Sequence, residues 1–138
     1  MSYDVKVEDI EYLRHGNTPY LLTLYRPQGT GPFPIMVELH GGAWCRSDRH
    51  GDKVIHEALA KSGVIVATLD WRQPPTASYS ASFQDIHYGI RWIKSRAAEF
   101  GGRPDPGESR RAHPLPRRLL EDRGGDGRGR AGRGAGAR

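Results

Sequence analysis

The stretch Pro34-Ile35-Met36-Val37-Glu38-Leu39-His40-Gly41-Gly42-Ala43-Trp44 decides the fold. A short apolar run between Pro34 and Gly41 reads as a strand over 35–39, covered on both faces. Glu38 interrupts that run. A buried carboxylate needs a partner or a strand end, so Glu38 belongs near the loop that follows. The loop opens on His40 and two glycines, residues that let a backbone turn sharply and approach a neighbour closely.

On the C-terminal side, Ser47-Asp48 can cap a helix, with Asp48 and Asp52 near its positive end. Val54, Ile55, Ala58 and Leu59 supply an apolar stripe, and Gly63 is the expected stop. Residues 64–69 are apolar and rich in β-branched side chains, and run into Asp70-Trp71-Arg72. Strand, helix and strand in this span form a βαβ unit with two parallel strands. A loop over 73–82 leads to Ser82-x-x-Asp85, the pattern of a capping box. The helix after it has its apolar face at Phe83, Ile86, Ile90, Ile93, Ala97 and Phe100, with Asp85, Arg91 and Lys94 largely elsewhere. Gly101-Gly102 ends it.

On the N-terminal side, residues 5–13 alternate loosely between apolar and charged, as an exposed-faced strand does. His15-Gly16-Asn17-Thr18-Pro19 is turn chemistry. Residues 20–25 form a second strand, ended by Pro27, so the two make an antiparallel hairpin. The class is α/β: a hairpin, a βαβ unit and a further helix.

Composition divides the chain at 102/103. Residues 1–102 hold eleven basic and eleven acidic side chains, so the net charge of +5 belongs to residues 103–138. There, 26 of 36 residues are Arg, Gly, Pro or Ala, and Leu115, Leu119 and Leu120 are the large aliphatics. Such a segment cannot bury enough apolar surface to offset an ordering cost of about 1–2 kcal/mol per residue, and it reads as disordered. The chain thus divides into an α/β domain, 1–102, and a tail, 103–138. The high pI is no evidence that the folded part meets nucleic acid or a membrane. No signal pattern opens the chain and no apolar run approaches a membrane span, so a cytoplasmic location is expected. Cys45 is the single cysteine, which excludes an internal disulfide.

Three motifs in order resemble the α/β-hydrolase superfamily, in its carboxylesterase and hormone-sensitive-lipase-like branch. They are His40-Gly41-Gly42-Ala43-Trp44 after a strand, Asp70-Trp71-Arg72 after the next, and the helix end running from Arg96 to Gly102 and on through Arg103-Pro104-Asp105. The resemblance covers most of residues 1–105. It implies the N-terminal half of an α/β-hydrolase sheet and an acyl-transfer activity on small-molecule esters, with no metal and no organic cofactor. It also implies roles for these residues. Gly41, Gly42 and Ala43 form the oxyanion loop, Gly42 and Ala43 matching the family's N–H donors. His40 and Trp44 support the loop, and Asp70 and Arg72 are structural. Backbone N–H groups aimed at the oxygen of a tetrahedral intermediate contribute roughly 3–4 kcal/mol each.

The family's nucleophile sits in Gly-x-Ser-x-Gly, and the chain has no such pentapeptide. Gly107-Glu108-Ser109-Arg110-Arg111 lacks the final glycine and any apolar strand before it, so Ser109 is rejected. The only His beyond it is His113, inside the arginine-rich tail. The catalytic triad is therefore missing and the chain is expected to be inactive. Arg, Gly, Ala and Pro are the residues of GC-rich codons, so the tail reads as a frameshift near codons 104–107. An unpaired sheet edge then becomes a site of self-association. Two other readings stay open: a ligand-binding remnant without turnover, and RNA association through Arg128-Gly129-Arg130-Ala131-Gly132-Arg133-Gly134. Cys45 reads as a partly buried small residue. His50, His56 and His87 read as solvated positions and not as metal ligands, since no tight i, i+4 pair exists. Ser78, Ser80 and Ser82 read as loop and cap residues.

Overall fold

A computed structural model describes residues 1–43 and 45–103. Trp44, Ser109, His113 and the tail expected to be disordered, from 104 onward, lie outside the described residues. The elements are β1 (Val5–His15), β2 (Thr18–Pro27), β3 (Ile35–Glu38), α1 (Lys53–Lys61), β4 (Ile65–Leu69) and α2 (Tyr79–Ser95), followed by a 3-10 turn at Ala97–Phe100. They build one four-stranded sheet in the order β1-β2-β4-β3.

β1 and β2 form the expected antiparallel hairpin, and Gly16 in its turn takes the left-handed φ of +56°. The register shifts between Glu11 and Leu13. This bulge lets the consecutive residues Tyr12 and Leu13 both be buried. β3 and β4 are parallel neighbours, Ile35 opposite Ile65 and Glu38 opposite Thr68, as a strand-helix-strand unit requires.

The two sheet faces bury different sets. Leu22, Leu24, Ile65, Ala67 and Leu69 pack with Ile86, Trp92 and Ile93 of α2 and with Phe33 and Phe100. Each fully buried Leu or Ile there contributes about 1.5–3 kcal/mol relative to exposure. On the opposite face Tyr25, Met36 and Val66 pack with Leu59 and Ala60 of α1. Gly63, at φ +98°, stops α1 as expected, and the N–H of Val64 reaches back to the Leu59 carbonyl at 3.2 Å.

Four local expectations are corrected. α1 begins at Lys53, with Asp52 at the cap position and no side-chain cap bond, whereas Asp48 accepts the His50 N–H at 2.8 Å in the preceding turn. Most of its apolar stripe faces outward: Val54 is 81% and Ile55 57% exposed and Ala58 is exposed too, while only Leu59 of the stripe packs inward, beside the buried His56 and Ala60. α2 begins at Tyr79, with Ser78 at the cap position. Ser82 is therefore inside the helix, its hydroxyl donating to the Arg72 carbonyl at 2.5 Å, and no capping box forms. Finally, β3 is only half-buried: Ile35 and Val37 pack on one face and Met36 on the other, but none of its residues is fully buried. It is the edge strand of the described sheet. Just upstream, Phe33 bridges to Gly102, and the Arg103 N–H donates to the Phe33 carbonyl at 2.7 Å.

Candidate active site

Because β3 and β4 are parallel, their carboxyl ends lie side by side. Loops at that end of a parallel sheet are the usual place for a ligand site. Here they are the segments after Glu38 and after Leu69. The first carries His40, Gly41, Gly42 and Ala43; the second carries Asp70, Trp71 and Arg72.

The first loop turns where Gly42 stands. Its carbonyl accepts the N–H groups of Cys45 at 3.2 Å and Arg46 at 3.0 Å. Gly42 has φ +110°, and a Cβ there would lie 2.0 Å from the Arg46 carbonyl oxygen. Only glycine fits. Ala43 follows at φ +53°, a left-handed position that costs a non-glycine residue about 1–2 kcal/mol. Gly41, Gly42 and Ala43 are exposed, and no acceptor among the described residues takes their N–H groups.

His40 is buried beneath this turn. Its Nδ1 donates to the Gly41 carbonyl at 2.8 Å, and since a carbonyl can only accept, Nδ1 carries the proton. Its ring lies on the indole of Trp71, centroids 4.0 Å apart and 11° from parallel. His40 Nε2 and Trp71 Nε1 are both buried without a hydrogen-bond partner among the described residues.

Each residue of Asp70-Trp71-Arg72 ties a different element to the end of β4. Asp70 accepts from the backbone N–H of Arg49 at 2.8 Å and from its guanidinium at 2.5 Å. The Asp70 carbonyl takes the hydroxyl of Tyr12, whose pKa is pushed well up by burial and then by Asp85 and Asp70. Arg72 donates to Asp85 from its backbone at 3.0 Å and from its guanidinium twice at 2.9 Å. His15 adds a further contact to Asp85 at 2.9 Å. Asp85 is only 2% exposed, so the helical pattern that set it off the buried face is overruled by this pairing. A buried carboxylate is stable where charge and hydrogen bonds compensate it.

Two residues that sequence reasoning passed over belong to the site. Arg49 bonds Asp70, Thr23 and Asp9; burial works against its charge, but the bonds to Asp70 and Asp9 outweigh this and hold its pKa above the ordinary arginine value. His56 is 1% exposed, not solvated, and its Nε2 lies 3.4 Å from Glu38. It lies beside the carboxylate in the apolar strand, but neither Glu38 Oε2 nor His56 Nε2 makes a hydrogen bond among the described residues. His50 and His87 are exposed, as expected, and so is Cys45, which was expected to be partly covered. Cys45 lines a cleft of about 460 Å³ with Arg46, Asp48, Trp71 and Gln73. No group of three or more metal-ligating side chains occurs among the described residues, and no helix among them is long and apolar enough to cross a membrane.

A profile of the BD-FAE family matches residues 22–105. A probable isoprenylcysteine alpha-carbonyl methylesterase of Arabidopsis thaliana is 35% identical over 97 residues, which is 67% of this chain and 20% of that protein. A probable carboxylic ester hydrolase of Mycobacterium tuberculosis is 29% identical over 100 residues, 70% of this chain and 23% of that protein. Among solved structures, the esterase of the archaeon Pyrobaculum calidifontis superposes with a TM-score of 0.63 at 26% identity, covering 70% of this chain and 31% of its own. The chain thus spans under a third of the length of these esterases.

Proposed function

Because the chain belongs to the BD-FAE family and its front portion is that of a carboxylesterase-like α/β-hydrolase, we propose that residues 1–102 carry the oxyanion loop of a carboxylic-ester hydrolase. The observation that carries this reading is the turn at Gly42. Its φ and the close Arg46 carbonyl admit no side chain, and the N–H groups of Gly41, Gly42 and Ala43 meet no acceptor among the described residues. In acyl transfer a serine attacks the ester carbonyl, and the oxygen of the tetrahedral intermediate takes up negative charge. Gly42 and Ala43 supply N–H donors to that oxygen, beside Gly41. His40, braced by Trp71, holds the root of the loop, and Trp44 is assigned the supporting role beside it. Asp70 and Arg72 hold the strand ends in place and take no part in the chemistry. The reaction calls for neither metal nor organic cofactor.

The substrate class is a small-molecule carboxylic ester, as the names of the relatives indicate. By itself this chain does not turn it over, since Gly-x-Ser-x-Gly occurs nowhere in its 138 residues. The family match runs to residue 105, where the arginine-rich composition sets in. This supports an α/β domain over 1–102 and a tail over 103–138 read from a shifted frame. The cytoplasm is the proposed location, and the open edge of β3 is the proposed surface for self-association, to be read by sedimentation. The second reading, ligand binding without turnover, draws on the cleft beside Cys45.

The test is p-nitrophenyl acetate hydrolysis together with fluorophosphonate labelling of the purified chain. Hydrolysis at the buffer rate and no labelled serine are expected. Turnover, or a labelled Ser109, contradicts the assignment.

A further inference from the structure

We propose that Arg49 is the positioning residue of the oxyanion loop; the inference rests on the reading of that loop given above. The loop is pinned at both ends to adjacent residues after β4. At one end His40 stacks on Trp71. At the other, Arg49 binds Asp70 by its backbone N–H and its Nη1. The turn at Gly42 and Ala43 is therefore a chain segment closed between two fixed points, and its conformational freedom depends on both.

Arg49 is itself fixed by the sheet. Asp9, Thr23, Thr68 and Glu38 stand opposite one another across all four strands, one from each. Arg49 joins the β1–β2 end of this row. Its Nε donates to Thr23 Oγ1 at 3.0 Å and its Nη2 to Asp9 Oδ2 at 3.3 Å, while Thr23 Oγ1 donates to Asp9 Oδ1 at 2.6 Å. One guanidinium thus joins the loop to β1, β2 and the end of β4. A lysine cannot make this set of bonds, because its single ammonium lacks the planar fork of donors. The side chain touches no reacting group, so its role is to set where the loop's N–H groups stand.

The experiment measures ¹⁵N order parameters in the full chain, its Arg49→Lys and Arg49→Ala variants, and Thr23→Val, which keeps the bonds to Asp70. In the parent, Gly41, Gly42 and Ala43 should have values near ~0.85; in both Arg49 variants they should fall below ~0.6, while Leu24 and Val66 stay near ~0.85. Thr23→Val should give a smaller fall in the same three amides. Unchanged loop values in Arg49→Lys and Thr23→Val, or an equal fall in loop and core, would overturn the proposal. Acetate titration separates the two readings. If the order parameters fall as expected but acetate shifts no loop amide of the parent, the positioning role stands and the oxyanion reading fails.

Discussion

The imidazole of His40 lies flat on the indole of Trp71, with ring centroids 4.0 Å apart. This contact joins the loop after β3 to the residue after β4 and fixes the spacing of the two segments that form the site. Trp71 is 4% exposed, so Trp71→Ala should lower stability by about 3–5 kcal/mol and broaden the amide signals of Gly41 to Ala43. Its Nε1 has no hydrogen-bond partner among the described residues, so Trp71→Phe sacrifices no bond seen there, keeps a ring under His40 and should recover most of the loss. Urea unfolding of the three proteins measures it.

The two residues at the turn should respond in opposite directions. Gly42→Ala sets a Cβ 2.0 Å from the Arg46 carbonyl and must open the turn, at a cost of roughly 1–3 kcal/mol. Ala43→Gly removes the penalty of φ +53° and should raise stability by up to about 1 kcal/mol. Denaturant midpoints at constant slope test both signs.

Asp85 is the buried acceptor for Arg72 and His15. Asp85→Asn keeps the shape and removes the charge, leaving the Arg72 guanidinium against an amide. The expected loss is about 3–5 kcal/mol, read as a fall in thermal midpoint. A change within 0.5 kcal/mol, the size usual for a surface site, would show the pair to be dispensable.

Acid stability should depend on Asp9. The Thr23 hydroxyl holds its pKa below the ordinary carboxylate value; burial, the next effect in size, opposes this, and the hydrogen bond and charge of Arg49 add to the lowering. A depressed folded pKa contributes stability that is fully present above the unfolded value of about 3.9 and is lost as pH falls through the folded one. Asp9→Asn should therefore reduce stability near neutrality and flatten the loss below about pH 4. The effect should be modest because the Asp9 side chain is about half exposed, and solvent screens its charge. Urea midpoints from pH 7 to pH 3 give the slope.

The sheet was legible because Met36-Val37 and the run over 64–69 are short, apolar and bounded by turn residues, and because Pro27 and Gly63 mark ends that backbone chemistry enforces. The facing of α1 was not. A helical apolar stripe is assumed to turn inward, yet Val54 and Ile55 face out. The inward position goes to His56, which lies against Glu38 and beside the Tyr25 ring. Glu38 inside an apolar strand was the available signal that a polar partner sits opposite. Asp85 was misplaced for the same reason: periodicity reports hydrophobicity and says nothing of pairing, and Arg72 lies thirteen residues away. The Gly42 turn was visible as a pair of glycines, but the clamp at Arg49 was not. Its partners Asp9, Thr23 and Asp70 lie in three separate segments, and only the strand register brings them together.

The most direct measurement is the nucleotide sequence across codons 100–115, with the DNA beyond it translated in all three frames. The account predicts that another frame, entered near codons 104–107, restores an apolar strand, a Gly-x-Ser-x-Gly and later acid and histidine residues. A correct frame with no such pentapeptide in any reading downstream would contradict it.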